Sequence, residues 1–301
     1  MQTQSWAGCH VPLITPFNDD LSVDEAGLRR LVNYYIEDVG CDGLVPCGTT
    51  GESPTLDTRE HNRVIEIIVE ETRGRVPVMA GTGSNSTKEA IAMTKHAEDI
   101  GASASLQVCP YYNRPTQYGL LKHFEAIAKA TKLPLFIYNI PSRSGRLIEA
   151  NTMIVLSQID NIIGMKDACG DLTITMEIIR ATRNNPEKFW VLCGEDALTF
   201  PMLSLGGDGG ILAVSHVVGK EYREMIRLHR EGKIEEAREI HFKTLPIVRA
   251  LFIETNPVPI KEALTMMGLP AGQPRLPMVP LRSENREVLR NTLIQGGILK
   301  G

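Results

Sequence analysis

Carbonyl chemistry needs an amine held out of water, and one stretch of this chain supplies it. Ile162-Ile163-Gly164-Met165-Lys166-Asp167 reads as an apolar strand with a lysine near its end. Side chains alternate along a strand, so Ile163 and Met165 share one face while Ile162, Gly164 and Lys166 share the other. The large apolar pair suits a layer facing helices, which turns Lys166 inward. A buried lysine is costly unless paired or working, and its neutral amine can attack a ketone to form a Schiff base. The plain alternative is a lysine that reaches solvent or pairs with Asp167. A second strand-like run, Pro134-Leu135-Phe136-Ile137-Tyr138-Asn139, puts Tyr138 on the interior face by the same alternation. Neighbouring strands lie about 4.8 Å apart, close enough for phenol and amine to meet. A tyrosine there can shuttle protons during imine formation, or it is a core tyrosine with a satisfied hydroxyl. Arg143, in the following Pro-Ser-Arg-Ser-Gly stretch, can clamp a carboxylate with two parallel hydrogen bonds.

Two further stretches carry weaker signals. Gly48-Thr49-Thr50-Gly51-Glu52-Ser53 sets two hydroxyls between glycines, which lets backbone N–H groups approach a small anion. It also reads as a turn leading to the N-cap of the next helix, with Asp57 or Thr58 as the cap. Cys109-Pro110-Tyr111-Tyr112-Asn113-Arg114-Pro115 places paired tyrosines on a proline-bounded loop, suited to a subunit contact or a site.

These stretches fall at the ends of regularly spaced elements. Short β-branched runs begin near Val11, Gly43, Val76, Ala104, Leu133, Ile162, Phe189 and Gly210, at intervals of 32, 33, 28, 29, 29, 27 and 21 residues. Helix-period segments lie between them, including Asp24–Asp38, Thr58–Thr72, Thr87–Ile100 and Tyr118–Thr131. Strands alternating with helices imply a parallel sheet. Eight such units predict an α/β fold, a (β/α)8 TIM barrel, whose reactive groups sit at the C-terminal ends of the strands. A doubly wound sheet would show G-x-G-x-x-G after the first strand. There the chain reads Thr15-Pro16-Phe17-Asn18, without a glycine, and Gly81-Thr82-Gly83-Ser84-Asn85-Ser86 fails at its last position. Beyond Val214 only helical segments are expected: Lys220–Glu231, Ile234–Ile253, Ile260–Met267 and Glu284–Gly296. The expected division is a catalytic barrel over 1–225 and a C-terminal helical extension over 226–301.

Composition narrows the partners. Of 301 residues, 32 are Lys or Arg and 36 are Asp or Glu, a formal charge of −4, with no basic block for nucleic acid. No apolar run reaches the roughly 18 residues of a membrane span. Met1–His10 lacks the pattern of a signal peptide, so a cytoplasmic location is expected. The six cysteines, Cys9, Cys41, Cys47, Cys109, Cys169 and Cys193, form no C-x-x-C pair and read as buried free thiols. The seven histidines are scattered, and no metal is expected.

Taken together, the motifs resemble the dihydrodipicolinate synthase family of the class I pyruvate aldolases. They are GTTGES at 48–53, AGTGSN at 80–85, PYYNRPTQ at 110–117, YNIPSRSG at 138–145, IGMKDACG at 163–170 and NPVPIK at 256–261. The resemblance implies a barrel with a helical extension, usually assembled as a homotetramer of tight dimers. It implies condensation of pyruvate with L-aspartate 4-semialdehyde, on the route to diaminopimelate and lysine, with no cofactor. It makes Lys166 the Schiff-base lysine and Tyr138 the proton donor and acceptor, in a relay with Thr49 and with Tyr112 of a facing copy. Thr50 becomes the pyruvate carboxylate contact, Leu212 the residue whose backbone closes the pyruvate pocket, and Arg143 the receiver of the semialdehyde carboxylate. The resemblance also implies inhibition by L-lysine at Ser53, Pro54, His61, Asn85, Glu89 and Tyr111, although Asn85 and Glu89 also read as the polar start of a helix. Asp167-Ala168-Cys169, Cys109 and Ser215-His216 depart from the family pattern without removing a catalytic group. Two other readings share the framework: a sister aldolase acting on N-acetylneuraminate or a 2-keto-3-deoxy sugar acid, and a barrel that only senses a 2-oxo acid.

Overall fold

A computed structural model describes residues 4–301, so the first three residues of the Met1–His10 segment lie outside the described residues. Eight parallel strands form one sheet in the hydrogen-bonded order 2-1-8-7-6-5-4-3. They are β1 (Gly8–Val11), β2 (Gly43–Leu44), β3 (Met79–Gly81), β4 (Ala104–Val108), β5 (Leu135–Asn139), β6 (Ile162–Asp167), β7 (Trp190–Cys193) and β8 (Gly209–Ile211). Each is followed by helix, and the chain has the expected (β/α)8 barrel fold. No helix among the described residues is long and apolar enough to cross a membrane.

The chain divides into two compact units. The first joins residues up to Gly8 with Pro77–Ile211. Its helices are α3 (Thr87–Asp99), α4 (Gln117–Ala130), the single turn α5 (Pro141–Ser144), α6 (Ala150–Leu156), α7 (Leu172–Thr182) and α8 (Thr199–Ser204). All six residues of β6 are buried. Pairing with β5 shifts by one residue, so Leu135 faces Ile162 while Phe136 faces Gly164. The Phe136 ring fills the space at Gly164, where an added Cβ would stand 2.4 Å from it. Trp6 then packs edge-on against Phe136 at 5.2 Å between centroids. Beyond the shift the register runs Tyr138 to Lys166 and Asn139 to Asp167.

The second unit joins Cys9–Val76 with Leu212–Gly301. It holds α1 (Glu25–Asn33), which runs into a π-helical turn over Tyr34–Val39, and α2 (Thr58–Thr72). Asp57 caps α2 in a reciprocal capping box with Glu60, the N-terminus that the sequence indicates. The C-terminal helices are α9 (Ser215–Arg230), α10 (Ile234–Leu251), α11 (Val258–Met266) and α12 (Ser283–Gln295). Residue 226 lies inside α9, the helix that follows β8; the additional helices begin at Ile234. Sequence marks α9 as starting at Lys220, five residues late, because its first turn is interrupted at Val218, whose φ of −119° and ψ of 36° are not helical.

Candidate active site

The first unit brings Lys166 and Tyr138 together. They are register partners on β6 and β5, and the Lys166 Nζ lies 4.2 Å from the centroid of the Tyr138 ring. Both are buried, at 7% and 5% exposure, so the ammonium exchanges most of its water for the negative face of the phenol. Gly194, just past β7, makes room for the lysine stem. A Cβ there would come within 2.7 Å of Lys166 Cε and 2.9 Å of its Cγ. The Gly194 N–H also donates to the Asp167 carbonyl at 2.7 Å, which ties the ends of β6 and β7. Glu195 follows, exposed to solvent. Desolvation pushes its carboxyl above the ordinary carboxylate range, against the pull of the Lys166 charge.

Neighbouring polar groups hold this strand end in place. Asp167 points away from Lys166 in the alternation and accepts from the Thr175 hydroxyl at 2.5 Å and the Cys169 N–H at 3.1 Å. Burial raises its carboxyl, and these bonds oppose the rise. Its carboxylate therefore secures the segment after the strand, rather than serving as the ion-pair partner of Lys166. Asn139 exchanges both side-chain hydrogen bonds with the backbone of Ile148, closing the loop that carries α5. Arg143 sits exposed on that helical turn. In the loop after β4, Tyr112 is 91% exposed and left-handed at φ 69°, and Tyr111 is 40% exposed. Asn113 fixes this loop by donating to the Asn85 carbonyl at 2.9 Å. Glu89 lies in the first turn of α3, capped by Ser86, and its carboxylate accepts from the Ser84 hydroxyl at 2.7 Å.

The second unit holds the remaining candidates. Thr49 is half-buried and Thr50 is buried, in the loop after β2. Asn256 Nδ2 donates to Thr50 Oγ1 at 3.0 Å. Glu52 is buried and left-handed at φ 55°, and the Lys261 ammonium meets its Oε1 at 2.7 Å. Ser53 and Pro54 form a single 3-10 turn, and His61 is buried on α2. Leu212 is buried, its N–H bonded to the His10 carbonyl at 3.1 Å and its own carbonyl accepting the Ser215 hydroxyl. Next to it, His216 donates from Nδ1 to the Ala213 carbonyl and accepts from the Ile14 N–H at Nε2, at 2.8 and 3.2 Å. Burial lowers its imidazole to about 4, so it is neutral at physiological pH.

Asn256, Lys261, Gly194 and Glu195 are absent from the sequence-derived candidates. NPVPIK marks the first two as part of a motif, but only the fold shows what they hold. No disulfide joins the six cysteines, five of them buried and Cys169 half-buried. Burial pushes the Cys109 thiol up to about 11 and those of Cys41, Cys169 and Cys193 to about 12, so none of these four offers a thiolate near neutrality. Among the described residues no group of three or more His, Cys, Asp or Glu side chains is disposed to hold a metal ion.

The model of the dihydrodipicolinate synthetase family matches residues 5–295. The chain belongs to that family. It is 46% identical over 294 residues to the 4-hydroxy-tetrahydrodipicolinate synthase of Methanothrix thermoacetophila, covering 98% of both chains. Two solved family structures match at a TM-score of 0.94. One is the chloride-inhibited dihydrodipicolinate synthase of Acinetobacter baumannii complexed with pyruvate, 40% identical, covering 98% of this chain and all of that one. The other is the dihydrodipicolinate synthase of Cyanidioschyzon merolae with lysine bound, 38% identical, covering 98% of this chain and 99% of that one. Family membership thus joins a whole-length match to an amine and phenol in adjacent register.

Proposed function

We propose that this chain is a 4-hydroxy-tetrahydrodipicolinate synthase that condenses pyruvate with L-aspartate 4-semialdehyde through a Schiff base on Lys166, on the route to diaminopimelate and lysine. The observation that carries the reading is the buried Lys166 Nζ 4.2 Å from the Tyr138 ring. The neutral amine attacks the ketone carbon of pyruvate, and water leaves as the imine forms. The imine is an electron sink, so a methyl proton is lost to give an enamine without metal or organic cofactor. The enamine carbon bonds to the aldehyde carbon, and the aldehyde oxygen takes up a proton. The amine of the second substrate then displaces Lys166 and closes the ring. Tyr138 carries the protons in these steps, relayed through Thr49 and through Tyr112 of a facing copy. Thr50 receives the pyruvate carboxylate, the Leu212 backbone closes the pocket, and Arg143 receives the carboxylate of the semialdehyde.

The same reading makes the protein a cytoplasmic homotetramer, with residues 1–225 as its catalytic barrel and 226–301 as its extension. L-Lysine acts as an inhibitor at Ser53, Pro54, His61, Asn85, Glu89 and Tyr111. The test is borohydride reduction with pyruvate, followed by peptide mapping and a coupled assay with both substrates. One pyruvate-derived mass should appear on the peptide containing Lys166, and Lys166→Ala should remain folded and lose nearly all turnover. Labelling at another lysine, or none, overturns the mechanism. Cleavage of N-acetylneuraminate or 2-keto-3-deoxygluconate in place of condensation assigns the sister aldolases instead.

A further inference from the structure

The Gly48–Ser53 loop is held by side chains more than 200 positions along the chain, all within the second unit. Lys261 is 1% exposed and its ammonium makes three hydrogen bonds: to Glu52 Oε1 at 2.7 Å, the Thr15 carbonyl at 3.2 Å and the Gln273 carbonyl at 3.2 Å. The other Glu52 oxygen accepts from the Arg275 N–H at 3.1 Å. The Thr15 hydroxyl donates to the Gly51 carbonyl at 2.7 Å. Glu52 keeps a left-handed backbone, which a side-chain-bearing residue adopts only where its surroundings over-determine it. Burial holds the Lys261 ammonium below its ordinary value, with the Glu52 charge opposing the drop. A buried ion pair is weak evidence for stability, since well-packed apolar residues often serve as well. Fixing the shape of this loop is a use that apolar residues could not replace.

Asn256 adds direction. Its Nδ2 donates to Thr50 Oγ1, so that oxygen spends a lone pair inward and its proton is left to donate elsewhere. A carboxylate accepts such a proton, whereas a hydroxyl turned toward a backbone carbonyl would offer none.

We propose that Asn256 and Lys261 are positioning residues for carboxylate recognition: Asn256 orients the Thr50 hydroxyl, and Lys261, through Glu52, holds the loop that presents it. The proposal rests on the assignment of the pyruvate carboxylate to Thr50. Its test compares borohydride trapping at Lys166 by pyruvate and by pyruvamide, which keeps the ketone and lacks the charge. The native protein should trap pyruvate preferentially. Asn256→Ala and Lys261→Met should lower that preference by about 10- to 150-fold, the range of one lost hydrogen bond to a charged group, with pyruvamide trapping nearly constant. Lys261→Met leaves Glu52 buried without its partner, so Glu52→Gln combined with Lys261→Met removes both charges and carries the test if the single variant does not fold. Variants that melt like the native protein and keep its preference overturn the proposal, as does an equal loss for both ketones. If the native protein traps pyruvate at Lys166 without preference over pyruvamide, the carboxylate assignment itself falls. No trapping at Lys166 would instead sink the Schiff-base reading.

Discussion

At the scale of single residues, the amine needs space as much as it needs burial. Gly194 supplies that space, since a methyl group would stand 2.7 Å from Lys166 Cε. Gly194→Ala should therefore displace the ammonium from the Tyr138 ring and lower kcat by about 100-fold, the loss typical of a 1 Å misplacement. Slower pyruvate trapping at Lys166 with an unchanged melting temperature would locate the defect in the site. Unaltered kcat would show that the strand end yields instead. Arg143 is the proposed receiver of the second substrate. It is exposed on a four-residue helical turn, six positions before Glu149, and that turn is anchored by Asn139 through Ile148. Arg143→Ala should lower kcat/KM for the semialdehyde by about 10- to 150-fold, the range of one charge-assisted contact. Imine formation with pyruvate should persist. A constant semialdehyde kcat/KM removes Arg143 from the site.

At the scale of elements, the corner from β8 into α9 carries a pH dependence. His216 is buried there, edge-on to the Tyr35 ring at 5.2 Å, with both ring nitrogens bonded to backbone. Its folded value of about 4 lies below the unfolded 6.5, so between those values the unfolded chain holds a proton that the folded chain lacks. Stability is thus fully present above pH 6.5 and falls as the pH drops toward 4, by about 3 kcal/mol at full effect. His216→Gln should flatten the urea-midpoint difference between pH 7 and pH 4.5; an equally steep profile would assign the acid sensitivity elsewhere. The same corner shows where sequence runs out. Strand starts at Gly43, Ala104 and Ile162 were legible because β-branched runs recur at barrel spacing. Lys166 and Tyr138 were legible because alternation has a period of two, whatever the tertiary context. The turns Pro141–Ser144 and Thr199–Ser204 are too short to show a helical period. Asn256 and Lys261 meet their partners 206 and 209 positions away, a pairing that no local pattern encodes.

At the scale of the whole molecule, the exposed tyrosine loop bears on the proposed inhibition by lysine. Tyr112 keeps 91% of its surface and a left-handed backbone, an expensive arrangement for a residue that meets only solvent. Its loop is tied through Asn113 to the carbonyl of Asn85, and Glu89 stands one helical turn on, bonded to Ser84. A ligand that engaged Asn85 and Glu89 would therefore pull on the segment that carries Tyr112. L-Lysine fits these groups chemically: Glu89 can take an ammonium, while Asn85 and the Tyr111 hydroxyl can meet polar atoms. The Ser84 bond is the cost, because the carboxylate must share or surrender it. Initial rates measured against L-lysine concentration should fall to a plateau for the native protein. Glu89→Ala should need at least about tenfold more lysine, the loss expected for one charged hydrogen bond. The tie also predicts that lysine protects the Tyr111–Asn113 amides from hydrogen exchange in the native protein and less in the variant. If saturating lysine leaves both the rate and the exchange unchanged, the inhibitor assignment fails while the chemistry at Lys166 stands.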